Sequence, residues 1–139
     1  MQNQSITMDN TKERDAELYA TYRKFMNELN TTHAEAVRAA VNAPASRYWV
    51  SPNYLYREIR RREQGRAGKL NRPLCKSRLY DRLYSDYLSI RERPLYRNMP
   101  IYALCDFLVA RPAPSFFLSE KRGDEIVKGF RRLTLDFRR

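Results

Sequence analysis

Hydrophobic residues recur at helical spacing along most of this chain. One stripe predicts an amphipathic helix over about residues 11–30, because its members lie on one face of a 3.6-residue turn. Spaced four, three and four residues apart, they are Leu18, Tyr22, Phe25 and Leu29. A second stripe predicts a last helix that begins after Ser119. Its members are Ile126, Phe130, Leu133 and Phe137.

Start and stop signals mark two more helices in the first half. Thr32 and Glu35 form a capping box ahead of the alanine-rich segment HAEAVRAAV, which predicts a helix to about residue 42. Ser51-Pro52 then predicts the start of a third helix, with serine as the N-cap and proline at the first helical position. That helix is expected to end at Gly65.

The second half repeats this order of elements. A helix is expected over about residues 74–92, with Leu79, Leu83 and Ile90 on its apolar face. A short helix follows in the segment MPIYALCDFLV, and we expect Asn98 to cap it. Ser119 is the expected cap of the last helix.

Two aromatic phrases have nearly the same letters, PASRYWVS at 44–51 and PAPSFFLS at 112–119. At a constant offset of 68 residues, four of the eleven pairs from 41 to 51 are identical. The aromatic and β-branched residues favour an extended chain. We therefore predict an internal duplication in which two short strands pair about a pseudo-two-fold axis. The expected anchors in the core are Tyr48, Trp49, Phe116 and Phe117.

These elements predict the fold class and its boundaries. The protein is expected to be mainly α, with two pseudo-symmetric helix–helix–short strand–helix units packed as one compact domain. Residues 1–10 form a disordered N-terminus, 11–65 the first unit, 66–73 a linker and 74–139 the second unit. The segment GRAGK at 65–69, where the first unit meets the linker, has the composition most typical of a linker in this chain.

Charge changes the picture from fold to function. Lys and Arg number 27 against 16 Asp and Glu, a net charge of +11 over 139 residues. Of the basic residues, 21 are Arg and 6 are Lys. Arginine binds phosphate through a planar fork of donors, and a surface this basic indicates a polyanionic partner. Arginine is also enriched at protein–protein interfaces, which remains the alternative.

Residues 33–64 and 101–132 each resemble a helix-turn-helix module with an enlarged turn of about nine residues rather than three or four. In each, a short helix precedes a break and a capped basic helix follows. The resemblance implies that the second helix meets duplex DNA in the major groove. The candidate nucleic-acid-binding residues are Asn53, Arg57, Arg60, Arg61, Arg62, Arg66, Lys121, Arg122, Lys128, Arg131 and Arg132. Part of the RRR run at 60–62 is expected to bridge to Glu58 and Glu63.

Catalytic chemistry finds little support in the sequence. The single histidine, His33, lies inside the capping box, and the chain has none of the common nucleotide, hydrolase or metalloprotease motifs. Cys75 and Cys105 match no zinc spacing and are interpreted as small buried hydrophobes. We expect no enzyme activity, no metal and no cofactor. With no membrane span and no signal peptide, the protein is expected in the cytoplasm.

Three functions are therefore expected, in this order. The first is a non-catalytic duplex DNA-binding protein of a regulatory, phage or mobile-element context. The second is an Arg- and Tyr-rich accessory subunit of a nucleoprotein or virion assembly that contacts protein or RNA, with Tyr80, Tyr84 and Tyr87 as its interface. The third is a single-strand or RNA binder that stacks bases on Trp49.

Overall fold

The computed structural model describes residues 2–65 and 72–137, and the side chains of 11–65 and 72–133. The protein is all-α in this described part, where no strand is present. Its six helices are α1 (Gln2–Leu29), α2 (His33–Asn42), α3 (Pro52–Glu63), α4 (Leu74–Ile90), α5 (Ile101–Val109) and α6 (Glu120–Phe137). The predicted order of helices is therefore confirmed.

The helix boundaries follow local chemistry. The capping box of Thr32 and Glu35 is present, and Ser51 Oγ accepts a hydrogen bond of 3.2 Å from Asn53 N. Ser119 Oγ likewise accepts from Arg122 N at 3.0 Å, which confirms the predicted cap of α6. Asn30 ends α1 in the left-handed region, with φ 48°, a conformation that asparagine tolerates.

Two boundaries differ from the prediction. α1 begins at Gln2, in the segment assigned to a disordered terminus, because residues 2–10 contain no proline or glycine to interrupt the helix. Asn98 does not cap α5. The N-cap is Pro100, without a side-chain hydrogen bond, since its fixed φ of −65° already directs the chain into the helix.

α1, α2 and α6 form a first compact unit, Met1–Ala45 together with Ala113–Arg139. Its core is apolar. The buried residues include Leu18, Ala36, Val37, Ala40, Val41, Ile126 and Val127. α6 approaches α2 closely at Gly123, where an added Cβ would lie 2.5 Å from Val41 Cγ1. The small residue therefore permits the close packing of these two helices.

α3, α4 and α5 form a second compact unit, Ser46–Pro112. Its buried residues include Leu55, Ile59, Leu79, Leu83, Ile90, Leu104 and Leu108. One charged side chain, Glu58, is also buried, with 4% of its surface exposed. This unit is a continuous stretch of chain, whereas the first is assembled from both ends.

The helices group differently from the predicted copies 11–65 and 74–139. The third helix of each copy packs with the first two helices of the other copy, so α3 joins α4 and α5, and α6 joins α1 and α2. The physical reason lies in the long connections that precede α3 and α6. Nine extended residues can span about 30 Å, which carries the following helix away from the one before it.

The predicted short strands are reduced to one antiparallel bridge between Ala45 and Ala113. Two backbone hydrogen bonds of 3.0 Å join these alanines. Pro44 precedes Ala45, and Pro112 and Pro114 flank Ala113; proline has no N–H group with which to extend the ladder. Tyr48 and Phe116 are buried as expected, while Trp49 and Phe117 are half-buried.

Further backbone bonds repeat at the offset of 68 residues. In the second unit, Tyr48 N donates to Val109 O at 3.0 Å. In the first unit, Phe116 N donates to Val41 O at 3.1 Å. The two donors, Tyr48 and Phe116, are 68 residues apart, and so are the two acceptors, Val41 and Val109. The aromatic phrase therefore forms the same backbone hydrogen bond in each unit.

Candidate nucleic-acid interface

The positive charge of the protein is concentrated in its second unit. Residues 46–112 contain 15 Lys and Arg against 6 Asp and Glu, a net charge of +9. The rest of the chain contains 12 against 10, a net charge of +2. A polyanion would therefore be attracted chiefly to the second unit.

The solvent face of α3 carries the most regular group of exposed polar side chains in that unit. Because Leu55 and Ile59 are buried, the opposite side of the helix faces solvent. Asn53, Arg57 and Arg60, spaced four and three residues apart, are exposed along this side. We call these three residues the α3 stripe.

Tyrosines border the α3 stripe. Tyr54 and Tyr56 are both exposed. The guanidinium carbon of Arg57 lies 5.8 Å from the centre of the Tyr54 ring, within the range of a cation–π contact. Neither Arg57 nor Arg60 forms an ion pair with a carboxylate in the described part of the chain. Both guanidinium groups are therefore available to a phosphate.

Arg61 and Arg62, two of the predicted interface residues, pair with carboxylates of the same unit. Arg61 Nη2 and Arg62 Nε donate to Glu58 Oε2 at 2.6 and 2.7 Å. Arg72 Nη2 donates to Glu58 Oε1 at 3.0 Å. Most of each guanidinium is buried, so the pairs lie inside the unit. The predicted bridge from the RRR run to Glu58 is confirmed.

This cluster holds Glu58 ionised. Burial would raise the pKa of Glu58, but the hydrogen bonds from Arg62, Arg61 and Arg72 outweigh it and lower that pKa below its ordinary value. Arg62 also pairs with Asp81 at 2.7 Å, so the cluster joins α3 to α4. The charges here serve the packing of the unit.

The basic residues of α6 are exposed but partly neutralised. Arg122 pairs with Glu125 at 3.2 Å, and Lys128 pairs with Asp124 at 2.9 Å. The remaining predicted residues on this helix, Lys121, Arg131 and Arg132, are also exposed. Local carboxylates reduce the potential of this face. On the α3 stripe, by contrast, Arg57 and Arg60 form no ion pair with a described carboxylate. Arg66 lies outside the described residues.

Sequence reasoning missed a polar contact that joins all three helices of the first unit. Tyr22 Oη and His33 Nδ1 share a hydrogen bond of 2.8 Å, and His33 Nε2 lies 2.5 Å from Asp124 Oδ1. Bonds from His33 and Lys128 lower the pKa of Asp124. Asp124 is 91 residues from His33 in the chain, so no local pattern could reveal the pair. The contact stabilises packing and opens on no described cavity.

Of the two cysteines interpreted as buried hydrophobes, Cys105 is buried, whereas Cys75 is half-buried. Burial raises the pKa of Cys105 to about 12, so its thiolate is not formed near neutral pH. Among the described residues, no three His, Cys, Asp or Glu side chains converge as metal ligands would. No described helix is both long and apolar enough to cross a membrane.

Comparison of the chain with protein-family models, with curated proteins and with solved structures finds no match.

Proposed function

We propose that this protein binds nucleic acid without catalysis, and that the α3 stripe is its principal contact with the phosphate backbone of duplex DNA. The observation that carries the proposal is the uneven distribution of unpaired positive charge. Arg57 and Arg60 are exposed without a described carboxylate partner, on the unit that holds +9 of the net charge of +11. Arginines in that state release counterions when they meet phosphates, which favours binding.

The α3 stripe suits a groove edge better than a deep pocket. Its arginines lie one turn apart, and Asn53 lies in the first turn, where base edges are met when a helix end enters a groove. α5 packs across α3 within the same unit, as the first helix of a helix-turn-helix pair would. This pair of α3 with α5 differs from the predicted pairs, which joined α2 to α3 and α5 to α6.

A tandem duplication accounts for this arrangement if the third helix of each copy, α3 or α6, packs with the first two helices of the other copy. The hydrogen bonds from Tyr48 and Phe116 support it, since they are related by the same 68-residue shift as the aromatic phrases. The regulatory, phage or mobile-element context and the cytoplasmic location stay predictions.

The second candidate function is that of an accessory subunit in a larger assembly. Its predicted tyrosine interface finds little support, because Arg72 and Arg62 cover the rings of Tyr80 and Tyr84 at 4.7 and 5.2 Å. Tyr87 is buried. Exposed aromatic groups on α5 favour this candidate instead. Base stacking on Trp49 finds less support, since Arg47 lies over that half-buried ring at 5.2 Å.

The test is a titration of the full-length protein against a short DNA duplex, followed by fluorescence anisotropy. Affinity is expected to fall by orders of magnitude between about 50 and about 200 mM salt, as phosphate contacts require. The double variant Arg57→Gln/Arg60→Gln should lower the steepness of the salt dependence by about two phosphate contacts and weaken binding at least tenfold.

The matched control neutralises two cations of α6 that are already paired, Arg122→Gln/Lys128→Gln. Both double variants remove the same charge, so a general loss of attraction would affect them equally. The α3 proposal predicts that the control changes affinity no more than about threefold, since paired charges contribute little at a surface. Equal losses, or salt-insensitive binding, would contradict the proposal.

A further inference from the structure

α5 presents aromatic side chains to solvent that the second unit does not bury. Tyr102 is 64% exposed and Phe107 is 37% exposed. Ala103, Asp106 and Ala110 lie between them around the helix and are small or polar. Just before the helix, Leu95 is 79% exposed, the largest value among the exposed large hydrophobic residues of the described chain. Exposed apolar groups that gather in one place are typical of a binding surface.

Contacts already organise part of this face. The ring centres of Tyr96 and Phe107 lie 5.1 Å apart, and the guanidinium carbon of Arg111 lies 5.8 Å from the centre of the Phe107 ring. Because these side chains are already ordered by contacts with one another, they lose little conformational entropy when a partner binds. We call Leu95, Tyr96, Tyr102, Phe107 and Arg111 the α5 surface.

The first unit provides an internal control for what the fold requires. α2 corresponds to α5 at the 68-residue offset, and it packs with α1 and α6 as α5 packs with α4 and α3. Tyr102 corresponds to Ala34, and Phe107 to Ala39. Since alanine suffices on α2, the packing of three helices does not demand an aromatic residue at either position. The aromatics of α5 therefore call for another explanation.

We propose that the α5 surface binds an acidic amphipathic helical segment of a partner protein. Arg93, Arg97 and Arg111 are exposed here and pair with none of the carboxylates that the structure describes. Arg111 lies over the Phe107 ring, and Arg97 follows Tyr96, whose ring contacts Phe107, so positive charge accompanies this aromatic pair. Carboxylates at the edges of the partner helix would form ion pairs with these arginines, and its apolar side chains would cover Leu95, Tyr102 and Phe107.

The chemistry of the surface favours protein over nucleic acid. Leu95 and the two alanines offer neither a stacking plane nor a donor to a base or a phosphate, but they match aliphatic side chains well. This proposal does not depend on the α3 stripe, because the two surfaces share no residue.

The test uses the full-length protein and designed helical peptides of about 18 residues, long enough for five turns. The probe peptide carries Leu and Phe on one face and Glu on the other. A second peptide keeps the apolar face and replaces Glu by Lys, and a third keeps Glu and replaces the apolar residues by Gln. Saturable binding of the first peptide alone, measured by anisotropy, is the expected result.

Two variants locate that binding. Tyr102→Ala/Phe107→Ala gives α5 the residues of α2 and should weaken peptide binding at least tenfold, as loss of central aromatic contacts does. Leu95→Asp, outside any helix, should weaken it without affecting helix packing. Arg57→Gln/Arg60→Gln should leave peptide affinity within about twofold while weakening DNA binding, which keeps this proposal separate from the first.

Other outcomes would overturn the proposal. These are equal binding of the Glu and Lys peptides, failure of the Glu peptide to bind, or a Tyr102→Ala/Phe107→Ala variant that binds the peptide normally. A single-stranded oligonucleotide whose binding is lost in that variant, with the peptide unaffected, would assign the surface to nucleic acid instead.

Discussion

The two units reach the same three-helix packing with different chemistry in their exchanged helices. At the 68-residue offset, Ile126 of α6 corresponds to Glu58 of α3, and both are buried. Phe130 corresponds to Arg62. Phe130 stacks on Tyr19 with ring centres 5.0 Å apart, whereas Arg62 lies over Tyr84 at 5.2 Å. Thus one unit uses apolar contacts where the other uses an ion cluster.

This difference explains where the free charge resides. In the second unit the buried Glu58 engages three arginines, and Glu63 and Asp81, nearer the surface, each pair with an arginine as well. In the first unit, carboxylates such as Glu125 and Asp124 are paired on the surface of α6. Burial of Glu58 removes one carboxylate from the surface of α3, which contributes to the basic face of this helix.

Removing the buried carboxylate of Glu58 should have the largest effect on stability of the changes considered. Glu58→Gln should lower the free energy of unfolding by about 3 kcal/mol, because three guanidinium groups lose a buried counter-charge. Denaturant unfolding measures the loss. Alkylation of Cys105 should accelerate in parallel, since that thiol is buried in the second unit and reacts only when the unit opens.

The matched control is Glu63→Gln on the same helix. Glu63 also accepts from an arginine, Arg91 at 3.0 Å, but it lies nearer the solvent. Glu63→Gln should lower the free energy of unfolding by less than about 1 kcal/mol. If the two variants prove equally stable, the Glu58 cluster does not stabilise the second unit.

Filling the close contact between α2 and α6 should have the next largest effect. Gly123→Ala would place a Cβ 2.5 Å from Val41 Cγ1 and 3.3 Å from Val37 Cγ1, and should cost about 2 kcal/mol through overpacking. Leu55 occupies the corresponding position in α3, so the second unit has no glycine at this point of its packing. Thermal unfolding provides the measurement.

Gly129→Ala on the same helix is the control, because nothing lies within 4 Å of the added carbon. It should stabilise the protein by about 0.5–1 kcal/mol through the higher helix propensity of alanine. A destabilising Gly129→Ala, or a neutral Gly123→Ala, would contradict the packing described for α6.

The smallest effect concerns the histidine contact of the first unit. The pKa of Asp124 is lowered in the folded state by its bonds to His33 and Lys128. The resulting stability is present above the ordinary carboxyl pKa and is lost as pH falls through the lowered value. Asp124→Asn should therefore cost up to about 1 kcal/mol at neutral pH, with the gap to the unmodified protein closing below about pH 4.

Asp106→Asn serves as the comparison for that experiment. Asp106 is exposed and forms no ion pair with a described residue, so its variant should follow the unmodified protein at every pH. A gap between Asp124→Asn and the unmodified protein that persists unchanged in acid would indicate a structural effect other than the carboxylate charge.

Local chemistry determined the elements of this protein. The capping box at Thr32, the Ser51-Pro52 start and the serine cap of α6 are each made by residues within three positions of one another, so they can be identified without tertiary information. The repeated aromatic phrase predicted a duplication, and Tyr48 and Phe116 form equivalent backbone hydrogen bonds. The paired strands that the phrase also predicted are reduced to a single bridge.

The tertiary structure alone decided which helices pack together and which charges remain free. Sequence order favours neighbours, but the extended connections send α3 and α6 to the opposite pairs. Arg60 and Arg62 are indistinguishable in the run RRR, yet a turn of about 200° between them leaves one in solvent and the other on Glu58. Side-chain partners distant in the chain, such as His33 and Asp124, follow from that packing and from nothing local.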